Sequence, residues 1–141
     1  MRRIWVDFEG GTWEGELWDD RAPRTVATLW SMLPLEAPVT NTYYGGEILR
    51  LWIHIDPPPG GLENASGIHN YGDILFMPEV TDVPHMNGLR FVYGAGQMGG
   101  AAGGVSIPKI GRLLGDLAGF KACAKRVEWE GEKPLRIRRG E

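Results

Sequence analysis

Glycine and proline interrupt this chain at short intervals, which limits the length of any helix or strand. There are 21 glycines and 10 prolines among 141 residues, more than average but fewer than in low-complexity chains. Between these breaks, apolar and polar residues alternate, as where Ile4, Val6 and Phe8 are interleaved with polar neighbours. Alternation of this kind is typical of half-buried strands. The pattern predicts a β-rich fold made of many short strands.

The length and hydrophobic content are sufficient for one core. With 43% hydrophobic residues and six tryptophans, we expect a single domain over residues 1–141. The single Cys123 excludes an internal disulfide. No apolar run approaches the roughly 18 residues of a spanning helix, and no secretory leader opens the chain. We therefore expect a soluble, cytoplasmic protein with no membrane partner.

The charge balance argues against nucleic acid as a partner. Lysine and arginine number 15 against 18 acidic residues, a net charge of −3. A protein that binds phosphate backbones usually carries a basic field. Here the basic residues cluster only at the two ends, at Arg2-Arg3 and over 136–139. Such terminal arginines are typical of the solvated faces of edge strands.

The periodicity predicts the order of the elements. An opening hairpin covers Ile4 to Leu17, and Asp19 or Asp20 caps a helix from Ala22 to Met32 that ends at Pro34. The stripe Ile110, Leu113, Leu114, Leu117, Ala124 and Val127 predicts a second helix that opens at Ser106 and Pro108. The remaining predicted strands are Glu47–Ile55, Ile74–Met77, Leu89–Tyr93 and a closing hairpin of 128–130 with 135–138. About seven strands and two helices favour a closed or nearly closed β-barrel whose ends are covered by helices.

Several short motifs resemble those of known proteins. The segment Leu17–Pro34, with its acidic turn followed by Ala22-Pro23-Arg24-Thr25-Val26, resembles the strand-then-helix entry of cyclophilins. Residues 4–138 are similar to small bacterial cyclophilin-like proteins whose domain has no assigned function. That similarity is carried by Leu33-Pro34, Gly46-Glu47-Ile48, Glu63-Asn64, Gly72-Asp73, Phe91-Val92-Tyr93-Gly94 and Ala122-Cys123. The resemblance implies a mainly β, eight-stranded cyclophilin-like barrel with two covering α-helices.

The same resemblance bears on catalysis through Arg50. Cyclophilin isomerases carry a catalytic arginine in a Phe-His-Arg strand, and Arg50 stands in a comparable strand. The residues before it are Ile48 and Leu49, and Ile55-Asp56-Pro57 replaces the aromatic and Met-x-Gln pattern that follows in the isomerases. Peptidyl-prolyl isomerisation is therefore an alternative function and not the leading one.

Other motifs favour structural roles. The stretch Gly94 to Gly99 fits the G-x-G-x-x-G spacing, but no helix begins directly after it, so no dinucleotide cofactor is expected. His54, His69 and His85 lack metal-ligand spacing, and no metal or other cofactor is predicted. Cys123 lies near the apolar stripe of the second helix and is expected to be a buried, inert thiol.

The remaining polar and aromatic residues fall near strand ends, where barrels form ligand pockets. On the strand after Gly45, Arg50 and Trp52 share one face, whereas Glu47 lies on the otherwise apolar face. We expect Glu47 to be a general base, Arg50 or Asn64 an electrophilic stabiliser and Tyr93 a positioning donor. The alternative is that Glu47 bonds backbone amides of the proline-rich loop. The substrate-binding candidates are Tyr44, Trp52, Asn64, Tyr93 and Gln97.

The leading hypothesis is a barrel that binds a small polar metabolite or cyclic amide in a pocket at its rim, with acid/base hydrolysis or isomerisation as a further possibility. A second alternative is a noncatalytic binding or assembly module. Trp5, Trp13 and Trp18 lie in or next to the opening hairpin, and aromatic residues are enriched in protein interfaces. If these side chains point outward, a homo-oligomer is expected.

Overall fold

A computed structural model describes residues 1–42, 46–77, 87–96 and 106–140. The strands are β1 (Arg2–Phe8), β2 (Gly11–Leu17), β3 (Leu35–Asn41), β4 (Gly46–Leu51), β5 (Ala65–Ser66), β6 (Asp73–Met77), β7 (Gly88–Gly96), β8 (Ile107–Leu113) and β9 (Lys133–Arg139). The helices are α1 (Pro23–Met32) and α2 (Ala118–Glu130).

The sheet closes into a barrel. Its strands follow the order β2-β1-β9-β3-β4-β7-β6-β8, and β8 pairs back onto β2 to complete an antiparallel ring of eight. The short β5 pairs with the beginning of β8 and stands outside the ring. Closure removes the unpaired edges that an open sheet exposes. The predicted closed barrel of about eight strands with two helices is therefore confirmed.

Alternate residues of each strand fill the barrel interior. Val6, Leu49, Leu51 and Phe91 are completely buried there. Phe120 of α2 closes one end, with its ring centroid 5.7 Å from that of Phe8 and 6.1 Å from that of Phe91. Burial of a large apolar side chain contributes about 1.5–3 kcal/mol, so α2 is held mainly by this contact face.

The second predicted helix was wrong in its first half. Residues 107–113 form β8, because their backbone groups pair with both β2 and β6. A Cβ atom at Gly111 would lie 2.1 Å from the Glu16 carbonyl oxygen, so glycine permits this close approach. Gly115 then has φ of 78° and separates β8 from α2.

Three other boundaries differ from the sequence prediction. Residues 128–130 are the last turn of α2, so no closing hairpin forms, and β9 inserts between β1 and β3. The strand predicted to run to Ile55 ends at Leu51. Ala22, not an aspartate, is the N-cap residue of α1, while Asp19 forms an ion pair with the Met1 amino group at 2.9 Å.

Membrane-spanning helices are not found among the described residues, since α1 and α2 are both too short and too polar to cross a bilayer.

Candidate functional site

Two buried arginines lie side by side on the outer face of the barrel. Arg50 of β4 and Arg90 of β7 are direct partners in the strand register, and they are 8% and 1% exposed. Like charges at paired positions repel each other. The outer face around them also carries a small apolar cluster, separate from the barrel interior, formed by Ile48, Leu75, Val92 and Ile107.

Arg50 has few partners for a buried cation. One terminal nitrogen donates a hydrogen bond to the Asn87 carbonyl oxygen at 3.2 Å, and the guanidinium carbon lies 3.5 Å from the centroid of the Trp52 ring. Among the described residues, the buried Nε atom has no hydrogen-bond partner and no carboxylate pairs with the side chain. Burial lowers the pKa of Arg50, because a cation loses hydration energy in a protein interior.

The surroundings hold Arg50 in place. Trp52 donates its indole N–H to the Thr40 hydroxyl at 2.7 Å. The Asn87 side chain brackets Ile55, accepting from its N–H at 2.8 Å and donating to its carbonyl at 2.7 Å. Asn87 therefore fixes the carbonyl that Arg50 contacts. Asn87 was not predicted from the sequence, in which only its position next to the start of a strand indicates a role.

Arg90 is more deeply buried than Arg50. Burial, followed by the charge of Arg50, lowers the pKa of Arg90 to about 9. This value leaves the group protonated at neutral pH. Two desolvated guanidinium groups therefore lie side by side on the outer face of β4 and β7.

Glu47 lies on the other side of β4, toward α2. Its Oε2 atom is 3.4 Å from the Lys125 Nζ and 3.8 Å from the Lys121 Nζ. A Cβ atom at Gly94 would lie 2.5 Å from the Glu47 Oε1, so the carboxylate packs directly on the β7 backbone. Two cations of α2 are thus close to this carboxylate.

Tyr93 belongs to the same inner region. Its hydroxyl donates to the Glu128 carboxylate at 3.2 Å and accepts a hydrogen bond from the Asn41 amide. Burial, together with the neighbouring carboxylates, raises the pKa of Tyr93 to about 12. The group is neutral at physiological pH and acts as a structural donor between β7 and α2.

The predicted site residues are thus divided between regions. Arg50 and Trp52 share the outer face, as predicted, whereas Glu47 and Tyr93 face α2, so these pairs do not line one hollow. Tyr44 and Gln97 lie outside the described residues.

Asn64 links two backbone segments. Its Nδ2 donates to the Lys109 carbonyl at 2.9 Å, and its own carbonyl accepts from the Lys109 N–H at 3.1 Å. A φ of 51° suits asparagine better than most residues. This geometry gives Asn64 a role in fixing the loop before β5 to β8.

Glu63 performs the loop-locking role that was considered for Glu47. Its Oε1 accepts from the Thr25 N–H at 2.8 Å and the Thr25 hydroxyl at 2.9 Å. Its Oε2 accepts from the Arg24 N–H at 3.3 Å and the Arg24 Nε at 3.0 Å. A carboxylate at a helix N-terminus satisfies free amides and the helix dipole. The signal in the sequence was that α1 has Pro23 at its start but no acidic residue in its first turn.

The histidines and the cysteine form no reactive cluster in the described part of the chain. His54 lies 2.8 Å from the exposed Asp56 carboxylate, and His69 contacts the Ser66 carbonyl at 3.1 Å. His85 lies outside the described residues. Within those residues no three His, Cys, Asp or Glu side chains are grouped to hold a metal ion. Cys123 is buried, as predicted, and its sulfur lies 3.4 Å from an Arg126 nitrogen.

The hairpin tryptophans do not form one outward patch. Trp13 packs edge-on against Phe120 at a centroid distance of 5.3 Å, so it belongs to the core. Trp18 is covered by the Arg21 guanidinium at 4.7 Å, and Trp5 is 37% exposed. A homo-oligomer was expected only if these tryptophan side chains point outward. At most Trp5 does so.

Solved structures with the same fold include proteins of several kinds. McbB, determined in complex with tryptophan, superimposes with a TM-score of 0.75 at 18% identity over 98% of this chain, which spans 45% of the length of McbB. The hypothetical protein AF2241 from Archaeoglobus fulgidus gives a TM-score of 0.61 at 17% identity, with 99% and 95% of the two chains covered.

A cyclophilin-type peptidyl-prolyl cis-trans isomerase of Cryptosporidium parvum gives a TM-score of 0.65 at 11% identity, with 99% and 98% covered. At these identities the likeness shows the fold alone. No curated protein sequence is significantly similar to this chain.

The family assignment agrees with the fold. A family model, described as a protein of unknown function (DUF3830), matches residues 4–138. With its closed barrel and its cyclophilin-type structural neighbours, the chain is a cyclophilin-like member of the DUF3830 family.

Proposed function

We propose that this protein binds a small carboxylate-bearing molecule at the outer face of β4 and β7, with Arg50 as the charged anchor and Trp52 as the adjoining wall. One observation carries the proposal. Arg50 is 8% exposed and has a single hydrogen bond, to a backbone carbonyl, without a carboxylate partner among the described residues.

A buried cation without enough hydrogen-bond or charge partners destabilises the folded state. The desolvation of an ion costs several kcal/mol unless a partner of opposite charge compensates for it. Arg90 increases that cost, because its charge faces Arg50 across the register. A bound anion next to Arg50 would remove much of the penalty and would be held more tightly for that reason.

The chemistry of guanidinium favours a carboxylate over a generic anion. Its planar fork presents parallel N–H groups that match two carboxylate oxygens. The Trp52 ring lies beside Arg50 and is 45% exposed, so it suits the hydrocarbon part of an organic acid. McbB supports the same ligand class, since the tryptophan with which it was determined carries a carboxylate.

Glu47 is not part of this proposal. It faces α2 and its two lysines, on the opposite side of β4 from Arg50. Acid/base catalysis that joins Glu47 to Arg50 would require both side chains in one pocket. Binding is therefore the function proposed, with Arg50 available to stabilise negative charge on whatever is bound.

Thermal unfolding with a panel of organic acids tests the proposal. Acetate, benzoate and succinate are titrated against sodium chloride, sulfate and phosphate at matched ionic strength. A ligand at a hundredfold excess over its Kd stabilises the folded state by about 2.7 kcal/mol, so we expect a saturable rise in Tm of several degrees with at least one carboxylate. Arg50→Met is expected to abolish the rise.

Arg136→Met is the matched control, because Arg136 is an exposed arginine on β9. Its response to the acids should equal that of the wild type. A panel that produces no saturable shift, or an equal shift with sulfate and phosphate, would contradict carboxylate binding.

Peptidyl-prolyl isomerisation is the second candidate, and one observation favours it. Arg50 lies on the outer face beside an apolar cluster, in the strand that the cyclophilin resemblance identified. However, Ile48, Leu75, Val92 and Ile107 are at most 1% exposed, so they offer no open slot for a proline ring. We expect no acceleration of Xaa-Pro peptide isomerisation at micromolar protein. Turnover that is lost in Arg50→Met would replace the binding proposal with this one.

A further inference from the structure

A polar cleft of about 510 Å³ lies across β2, β8 and β6, away from Arg50 and Trp52. Its floor is built from consecutive strands, since Glu16 pairs with Arg112 and Arg112 pairs with Asp73 in the register. Side chains that project from paired strands are positioned more accurately than those on loops. This volume is within the range of clefts that hold small ligands.

The charges on this floor are balanced internally. The Arg112 Nε donates to the Glu16 Oε1 at 3.2 Å, and the Lys109 Nζ forms an ion pair with the Asp73 Oδ2 at 2.9 Å. Both carboxylates are nearly buried, with Glu16 7% and Asp73 4% exposed. Because each acid has its own base, the cleft does not require a counter-ion.

The floor nevertheless retains free hydrogen-bonding capacity. All bonds that Glu16 accepts use Oε1, and all those of Asp73, including one from the Asn70 N–H at 2.7 Å, use Oδ2. The second oxygen of each carboxylate accepts no hydrogen bond from the described residues. Arg112, with 57% of its side chain exposed, also bonds through Nε alone. Hydrogen bonds from neutral hydroxyls to ionised groups are stronger than those between neutral groups.

The walls of the cleft are held in place. Trp18 donates its indole N–H to the Glu16 Oε1 at 3.1 Å, and its ring lies under the Arg21 guanidinium. Tyr71 donates its hydroxyl to the Leu117 carbonyl at 2.9 Å. Side chains that are already ordered lose little entropy when a ligand binds.

From these features we propose that the cleft is a second binding site, which takes a small, neutral, polyhydroxylated molecule of monosaccharide size. Hydroxyl groups donate to the free carboxylate oxygens and accept from Arg112 without breaking either ion pair. A cationic ligand would have to share Glu16 or Asp73 with the existing cations, and an anionic ligand would have to share Arg112 or Lys109 with the existing carboxylates. Either ligand would also lose its own hydration. This inference is independent of the Arg50 site, because none of its residues contacts Arg50.

Saturation-transfer NMR on the whole chain tests this site. The probes are glucose, galactose, ribose and inositol. Glycine and acetate are the charged comparisons, and they are measured on Arg50→Met, which lacks the proposed carboxylate anchor. We expect transfer from the protein to the protons of at least one polyol at millimolar concentration. Glu16→Gln and Trp18→Phe are each expected to weaken its binding at least fivefold. Glu14→Gln, on the same strand but outside the cleft, should leave it unchanged.

Circular dichroism establishes that each variant is folded before it is titrated. The absence of transfer to all four polyols at tens of millimolar would overturn the proposal, and so would transfer in Arg50→Met to glycine or acetate but to no polyol. If Glu16→Gln and Trp18→Phe both bind the polyol as tightly as the wild type, the polyol site is not in this cleft. Arg50→Met should bind the polyols normally, which separates this test from that of the carboxylate site.

Discussion

Glu63 and Arg50 are charged residues with the same exposure of 8%, yet their surroundings are opposite. Glu63 accepts four hydrogen bonds at the start of α1, two of them from backbone amides. Arg50 donates one hydrogen bond and otherwise lies against the Trp52 ring. A buried charge whose hydrogen bonds are satisfied stabilises the fold. A buried charge with few partners has an uncompensated desolvation cost, which a ligand of opposite charge would reduce.

The largest effect is expected from removing the satisfied charge. Glu63→Ala leaves the first amides of α1 and the Thr25 hydroxyl without their acceptor. We expect a loss of about 3 kcal/mol in the free energy of unfolding, measured by urea denaturation. Glu36→Ala, an exposed glutamate on β3, is the control and should change little. A loss for Glu63→Ala no larger than that for Glu36→Ala would remove the contrast with Arg50.

The pH dependence of stability sharpens the same contrast. Burial alone would raise the pKa of Glu63, but the hydrogen bonds from Thr25 and Arg24 outweigh it and lower that pKa below 4.5. A carboxyl group with a lowered pKa in the folded state contributes stability that is fully present above pH 4.5 and is lost as the pH falls through the folded pKa. In Glu63→Gln, denaturation midpoints should therefore fall less steeply on acidification. An identical acid profile for both proteins would contradict the assigned role.

Tyr93 extends the contrast to a buried group without charge. In Tyr93→Phe the Asn41 amide keeps the Glu128 carboxylate, 3.2 Å away, as a partner, so we expect a loss of only about 1 kcal/mol.

Alkaline titration offers a separate measurement of Tyr93. Because its pKa is raised from 10 to about 12, its stabilising effect is fully present below pH 10 and is lost between those values. Ultraviolet difference spectra should contain one late tyrosine ionisation that is missing in Tyr93→Phe. A last tyrosine that ionises near pH 10 would exclude the described environment.

Removal of the poorly satisfied charge should affect stability least among the buried groups. Arg50→Met eliminates a desolvated cation and its repulsion from Arg90, so its free energy of unfolding should stay within about 1 kcal/mol of wild type or rise. A loss as large as that of Glu63→Ala would show that Arg50 is a structural charge.

The smallest effect on stability is expected from breaking a solvent-exposed charge pair. Asp56→Asn breaks the contact with His54, but the Asp56 side chain is 88% exposed. Exposed pairs contribute little because water screens them. We expect no measurable change in the urea midpoint.

Local sequence pattern was sufficient to predict those segments whose secondary structure depends on local interactions. The alternation over 4–17 predicted the β1–β2 hairpin, and Pro23 and Pro34 delimited α1. The two-residue period also assigned Arg50 and Trp52 to one face and Glu47 to the other. The resemblance to cyclophilin-like proteins, carried by motifs spread from Leu17 to Cys123, correctly implied the barrel.

Distant pairing decided what local pattern could not. The stripe from Ile110 to Val127 has helical spacing, yet residues 107–113 became a strand because β2 and β6 offered them hydrogen bonds on both sides. The acceptor for the start of α1 is Glu63, 38 residues from Thr25, and no local pattern encodes such a partner.

The amino-acid sequence by itself determined that this chain forms a β-barrel with two helices and that a cation occurs on the outer face of β4. The reason is that side-chain periodicity and turn residues act over a few positions, and every strand carries that information itself. Only the tertiary structure decided which charges are satisfied, because burial and partners depend on which strands become neighbours. Arg50 is paired with another cation, Arg90, whereas Arg112 lies between the carboxylates of Glu16 and Asp73. This difference in neighbouring charge is why the two proposed sites are expected to bind different classes of ligand.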